Sequence, residues 1–265
     1  MIDLVVSGAT GRMGQAVARL VREAADLRVT GGIAPDAPAD GSGQPGYPTV
    51  VPVEDAAGLV RQCQVVIDFS APEQLERLVR LHSGSLADRA LVIGTTGLEA
   101  ELEHLLDRLA ARAAVLLAAN FSVGVNLLLG LVEQAARALP AADYEVEIVE
   151  THHSRKEDAP SGTALALGRV VAAARDLELD AVRRDGRAGR PGPRAASEIG
   201  FHAIRGGDVV GEHEVRFLGA RERLTFGHTA QNRDLFAHGA LVAARWIAEK
   251  GSGRYTMADV LGLVR

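Results

Sequence analysis

The sequence predicts an α/β protein that opens with a parallel, doubly wound sheet. Three observations carry this. Short apolar runs alternate with helix-like segments through the first 120 residues. The runs are continuously apolar, as strands covered on both faces tend to be. A glycine-rich turn separates the first run from the first helical pattern. Strand–helix alternation of this kind builds parallel sheets, because each helix carries the chain back to start the next strand in the same direction.

Taken in order, the expected strands are Leu4–Ser7, Arg28–Ile33, Val65–Phe69, Ala90–Ile93 and Ala114–Ala118, with helices over 12–24, 72–81 and 98–111. The second helix has Ser70 as a candidate cap and Pro72 in its first turn, positions these residues favour. The pattern then changes. After an apolar stretch around Val123–Leu131, Tyr144-Glu145-Val146-Glu147-Ile148 alternates at period two, predicting a strand with one buried and one wet face. A polar loop leads to a helix over 162–175. The segment 183–194, with five arginines, three glycines and two prolines, reads as a mobile surface loop. Strands over 208–218 and 221–228 meet at Gly219-Ala220 as a hairpin, and a final helix over 234–249 stops before Gly251 and Gly253.

Composition narrows the function classes. The 265 residues are 47% hydrophobic and 24% charged, an ordinary globular balance. A net charge of -5 provides no general attraction for nucleic acid. A single cysteine, Cys63, suits a reducing compartment and reads as a small buried hydrophobe. No apolar run reaches the roughly 18 residues of a membrane span, and no signal-like segment precedes the first strand. The expectation is a cytoplasmic protein that binds neither nucleic acid nor membrane.

The turn Gly8-Ala9-Thr10-Gly11-Arg12-Met13-Gly14 lies between the first strand and first helix. Glycines there permit a tight turn and close backbone approach to a pyrophosphate, and the helix start supplies free N–H groups. The spacing is GxxGxxG rather than GxGxxG, so a purely structural turn is the alternative. A dinucleotide fold usually ends its second strand with an acid for the ribose. Here that strand runs into Ala34-Pro35-Asp36, and Asp36 is as consistent with a solvated turn as with ribose binding. An aspartate placed at Ala34 is expected to favour NADH.

The densest chemistry is Glu150-Thr151-His152-His153-Ser154-Arg155-Lys156-Glu157-Asp158-Ala159-Pro160-Ser161-Gly162-Thr163. Histidines beside Arg155 and Lys156 make a poor zinc site, and no metal is expected. They suit an anionic substrate: a lysine fixes a carboxylate, and an imidazole moves a proton near neutral pH. Ser161-Gly162-Thr163 opens a helix whose first N–H groups form a second carboxylate site. The ligand class is then a small dicarboxylate; the alternative is a charged loop with an ordinary serine cap.

This segment closely resembles the signature of the 4-hydroxy-tetrahydrodipicolinate reductase family, also called dihydrodipicolinate reductases. The resemblance extends through the glycine turn, Ile67-Asp68-Phe69-Ser70, Ile93-Gly94-Thr95-Thr96-Gly97, Ala118-Ala119-Asn120-Phe121-Ser122-Val123-Gly124-Val125-Asn126 and Gly206-Gly207-Asp208-Val209-Val210-Gly211-Glu212-His213. It implies an NADH- or NADPH-dependent oxidoreductase of lysine biosynthesis via diaminopimelate. It also implies a Rossmann-type dinucleotide-binding domain over 1–121 and 232–265, and an α+β substrate-binding and oligomerisation domain with a mixed sheet over 122–231. Homotetramers built through that sheet are usual in the family.

By the same resemblance, His152 donates the proton and Lys156 is the second catalytic residue. His153, Gly162 and Thr163 hold substrate. Gly8, Ala9, Thr10, Gly11, Arg12 and Met13 cradle the pyrophosphate, while Gly94, Thr95, Thr96, Ala118, Ala119, Asn120 and Phe121 line the nicotinamide half. Where many members carry an acid after the second strand, this chain has Ala34-Pro35, which predicts weak discrimination between NADH and NADPH. Two rivals are another nicotinamide oxidoreductase on the same scaffold and a dinucleotide-sensing regulator without chemistry. Neither needs the full His-His-x-x-Lys block.

Overall fold

The computed structural model describes residues 1–38 and 40–263. The chain forms two compact units, Met1–Val123 with Asp234–Arg265, and Gly124–Arg233. Residues 264 and 265, included in the expected first domain, lie outside the described residues.

In the first unit, β1 (Ile2–Ser7), α1 (Arg12–Val21), β2 (Leu27–Ile33), β3 (Val50–Val51), α2 (Ala57–Gln62), β4 (Val65–Asp68), α3 (Pro72–His82), β5 (Ala90–Ile93), α4 (Ala100–Ala110) and β6 (Ala114–Leu117) follow one another. The second unit holds α5 (Val123–Ala138), β7 (Tyr144–His152), α6 (Gly162–Ala174), α7 (Leu179–Val182), β8 (Arg183–Asp185), β9 (Ile199–Arg205), β10 (Gly211–Gly219) and β11 (Arg223–Ala230). The chain then re-enters the first unit with α8 (Asp234–Ile247), β12 (Gly253–Tyr255) and α9 (Met257–Val260).

The first sheet runs β12-β6-β5-β4-β1-β2-β3, with every pairing parallel. Alternate residues feed two apolar clusters. Leu4, Val6, Ile67, Val92 and Leu116 pack with α1 and α8, whereas Val5, Val66, Leu91, Ile93 and Val115 pack with α3 and α4. Each such side chain contributes about 1.5–3 kcal/mol of burial. Cys63 is buried in the second cluster, where burial pushes its thiol up to about 12.

Two helix boundaries depart from expectation for local reasons. The helix α1 stops at Val21 because Glu23 and Ala24 bond back three residues, to Leu20 and Val21, tightening the end into a turn. Ser70 does not cap α3: the cap position is Ala71, and the Ser70 hydroxyl donates instead to Asp68 at 2.8 Å.

The second sheet runs β11-β10-β7-β9-β8, antiparallel across β11-β10-β7 and parallel across β7-β9-β8. Val146, Ile148, Val215, Phe217, Ile199 and Phe201 face inward onto α5 and α6. The arginine-rich segment is not a plain surface loop. Its first three residues pair with β9 as β8. Further on, Arg187 and Arg194 converge on Glu147 of β7 at 3.1 and 3.0 Å, and Arg194 also donates to the Val146 carbonyl. Among the described residues no helix is long and apolar enough to cross a membrane.

Candidate active site

Two groups of expected site residues lie in the first unit. Gly8 has φ +82°, a conformation that favours glycine, and a Cβ there would meet the Phe69 carbonyl at 2.5 Å. A Cβ at Gly14 would collide with the Gly8 carbonyl, while one at Gly11 would sit 3.2 Å from it. The amides of Gly8 and Ala9 both donate to the Ile33 carbonyl, tying the turn to β2. No side chain caps α1, and Gly11 at its cap position is exposed. A close-packed glycine cradle opening onto an uncapped helix start fits a pyrophosphate.

Beside it, the Thr10 hydroxyl donates to Asp36 at 2.8 Å, bringing that carboxylate onto the glycine turn. Ala34 is fully buried, so an aspartate there would bury a charge; Asp36 is exposed beside the glycine turn.

Around the carboxyl ends of β4 to β6, Thr95 is buried and its hydroxyl donates to Asp68. Asp68 is itself 1% exposed; burial pushes its carboxyl up, against the hydrogen bonds from Thr95 and Ser70. Thr95 therefore braces the turn, whereas Thr96 is exposed. A Cβ at Gly94 would collide with the Phe69 ring, whose edge-to-face partner at 5.6 Å is the buried Phe121. The Ala118 amide donates to the Ile93 carbonyl, Ala119 is exposed, and the Asn120 side chain accepts from the Ser122 amide. Arg12 is exposed and Met13 half-buried on the first turn of α1.

The second unit gathers the remaining expected residues. The inward face of β7 runs Val146, Ile148, Glu150, His152, so the apolar stripe continues into two buried polar side chains. His152 donates from Nδ1 to Glu150 at 2.5 Å. His153 and Ser154 donate backbone amides to the Val209 and Gly207 carbonyls, which docks the histidine–lysine loop on the segment before β10. Lys156 is half-buried with Nζ 2.8 Å from Asp158. Ser161 caps α6, taking the Ala164 amide, and Gly162 and Thr163 form the first turn. His152, Lys156 and the start of α6 thus belong to one short stretch of folded chain, while His153 receives an Arg233 contact at 3.4 Å.

Electrostatics define the protonation states. Burial lowers the pKa of His152 below the usual histidine value, although its bond to Glu150 opposes this. For Glu150 burial pushes upward, but Arg205, His152 and the Ser161 amide together hold its carboxyl low. His213, 6% exposed and edge-on to His152 at 5.1 Å, is pushed down by burial to about 4. Near neutral pH, Glu150 is therefore ionised and both imidazoles are neutral.

Four members of these clusters escaped sequence reasoning as site residues: Asp68, Glu150, Arg205 and His213. Glu150 had a visible signal, since it continues the inward period of Val146 and Ile148. Arg205 had none, because β9 was not foreseen.

The N-terminal model of the dihydrodipicolinate reductases matches residues 2–121 and the C-terminal model residues 124–261. The chain belongs to the dihydrodipicolinate reductase family. A 4-hydroxy-tetrahydrodipicolinate reductase of Nitrosomonas eutropha is 44% identical over 268 residues, 99% of each chain. One of Anaeromyxobacter sp. is 46% identical over 267 residues, 99% of this chain and 98% of the relative. A dipicolinate-bound dihydrodipicolinate reductase from Paenisporosarcina sp. TG-14 shares the fold, with a TM-score of 0.78 at 23% identity over 98% of both chains. In this family the N-terminal unit is the nicotinamide-dinucleotide domain, and the glycine cradle described above fits that role.

Proposed function

We propose that the chain reduces 4-hydroxy-tetrahydrodipicolinate to tetrahydrodipicolinate with NADH or NADPH, in lysine biosynthesis via diaminopimelate. The observation that carries this reading is the buried His152, held by a carboxylate and joined through one short loop to Lys156 and the start of α6, in a chain nearly half identical to reductases of that name.

Gly8 to Met13 hold the pyrophosphate, with Gly94, Thr96 and the 118–121 segment at the nicotinamide half. When bound, the dinucleotide supplies a hydride. Lys156 exchanges Asp158 for one substrate carboxylate, and His153 with the start of α6 at Gly162 and Thr163 takes the other. The hydride would go to an electron-poor conjugated ring carbon once the hydroxyl has left the substrate as water, and the resulting enamine-like product would need a proton.

His152 delivers that proton from Nε2, or orders a water that does, because Nδ1–H is committed to Glu150. The free imidazole is neutral, but two substrate carboxylates nearby raise its proton affinity and prepare it as a donor. Positioning by these groups supplies at best about 7–11 kcal/mol of barrier lowering. A cytoplasmic homotetramer completes the reading, supported by the family resemblance; sedimentation velocity of the purified chain would test the tetramer.

The test is His152→Ala and Lys156→Ala. Each should lower turnover by about 100-fold or more, with calorimetric NADH affinity essentially unchanged. Near-normal turnover in both contradicts the assignment.

A further inference from the structure

Glu150 is 1% exposed, and glutamates are almost never so buried unless paired. Its two oxygens accept from four donors: His152 Nδ1 at 2.5 Å, the Ser161 amide at 3.1 Å, and both terminal nitrogens of Arg205 at 2.8 and 2.7 Å. These donors come from β7, the cap of α6 and the end of β9. Arg205 reaches further, to the Asp158 carbonyl at 2.8 Å, in the loop that carries Lys156.

An acceptor-only carboxylate at Nδ1 selects one tautomer of a neutral imidazole. The proton must sit on Nδ1, leaving Nε2 as the exchangeable nitrogen. Nε2 lies beside Gly211, where a Cβ would approach to 3.0 Å, so glycine at that position keeps its surroundings open. The same carboxylate fixes the Ser161 backbone, and the Ser161 hydroxyl lies 3.0 Å from Nε2 of His213, the ring edge-on to His152.

We propose that Glu150, clamped by Arg205, is a positioning residue for the reduction: it locks His152 in the Nδ1–H tautomer and ties that imidazole to the helix start that receives a substrate carboxylate. This rests on the reading that His152 Nε2 moves the proton. A bidentate arginine suits the task, since its planar fork fixes the carboxylate in orientation as well as charge. The titratable and charged groups around His152 are Glu150 on its own strand, Lys156 in the next loop, Arg205 on β9 and His213 on β10, with His228 of β11 behind His213.

Glu150→Gln tests the tautomer lock. The amide keeps an oxygen for Arg205 but can offer an N–H to Nδ1, which moves the imidazole proton to Nε2. Long-range ¹H–¹⁵N spectra of the full chain with labelled histidine should show His152 protonated at Nδ1 in the wild type and no longer so in the variant. Its kcat should fall by about 100-fold or more with a smaller change in KM, and the high-pH limb of the rate profile should move down by about one unit, because a neighbouring negative charge is gone. Glu150→Asp should recover part of the loss. If His152→Ala is impaired while Glu150→Gln keeps the wild-type kcat, pH profile and tautomer, the positioning role is wrong and the reading of His152 stands. If His152→Ala is itself unimpaired, the underlying reading fails. Should Glu150→Gln not fold, the wild-type spectrum alone decides: an Nε2–H tautomer at pH 8 overturns the proposal.

Discussion

At the scale of single residues, the buried polar groups behave as physical chemistry requires, each with a cost that becomes measurable when pH changes. His213 illustrates the sign. Its pKa is depressed from 6.5 to about 4 in the folded chain, chiefly by burial. Between those values the unfolded chain binds a proton that the folded chain refuses, so stability falls as pH falls from 6.5 towards 4 and is fully retained above 6.5. The total is about 3 kcal/mol at 1.36 kcal/mol per unit. Denaturant titrations of the wild type and His213→Gln should give a stability difference that shrinks across this window; a difference independent of pH contradicts the burial account. The glycines separate in a similar way. Gly11 leaves room for a methyl at the edge of tolerance, whereas Gly14 does not. Gly11→Ala should therefore fold and bind NADH more weakly, while Gly14→Ala should lose stability; unchanged affinity in Gly11→Ala would make the turn only structural.

At the scale of elements, the arginine-rich segment carries the clearest correction and its own prediction. Arg194 is 13% exposed, pairs with Glu147 and donates to backbone carbonyls of Val146, Ala195 and Glu198. Arg194→Ala strands those acceptors and should destabilise the chain by about 1–3 kcal/mol, with faster proteolysis confined to 186–197; stability within about 0.5 kcal/mol of wild type would return the segment to a plain loop. Four core strands of the first sheet were legible because Leu4–Val6, Val65–Ile67, Leu91–Ile93 and Val115–Leu117 are unbroken apolar runs; β2, with Arg28, Thr30 and two glycines, is not such a run. The edge strands β3 and β12 are two and three residues long and bear no periodic signal. β9 was hidden because Ile199-Gly200-Phe201 is joined to a half that is polar or exposed, His202-Ala203-Ile204-Arg205, and its partner β7 lies far away in sequence. Of the candidate site, residue type and spacing singled out the segment from Glu150 to Thr163 but left a charged loop as the alternative, and the individual roles rested on the family resemblance. The bracing carboxylate Asp68 became visible only when burial and donors were known, whereas Glu150 had the inward period of Val146 and Ile148 as its signal.

At the scale of the whole molecule, the proposed reduction is the property that would call on both the glycine turn of the first unit and the His152 cluster of the second. Cofactor choice also belongs here: Asp36 sits on the glycine turn through Thr10, and the exposed Arg12 offers an opposing charge. A preference within about tenfold between NADH and NADPH, roughly 1.4 kcal/mol, is expected. The decisive measurement is steady-state kcat/KM on freshly generated 4-hydroxy-tetrahydrodipicolinate with each cofactor, with the product identified. The account predicts oxidation of both NADH and NADPH coupled one-to-one to tetrahydrodipicolinate. Cofactor oxidation no faster than the substrate-free background, with a folded chain that still binds NADH, would contradict it.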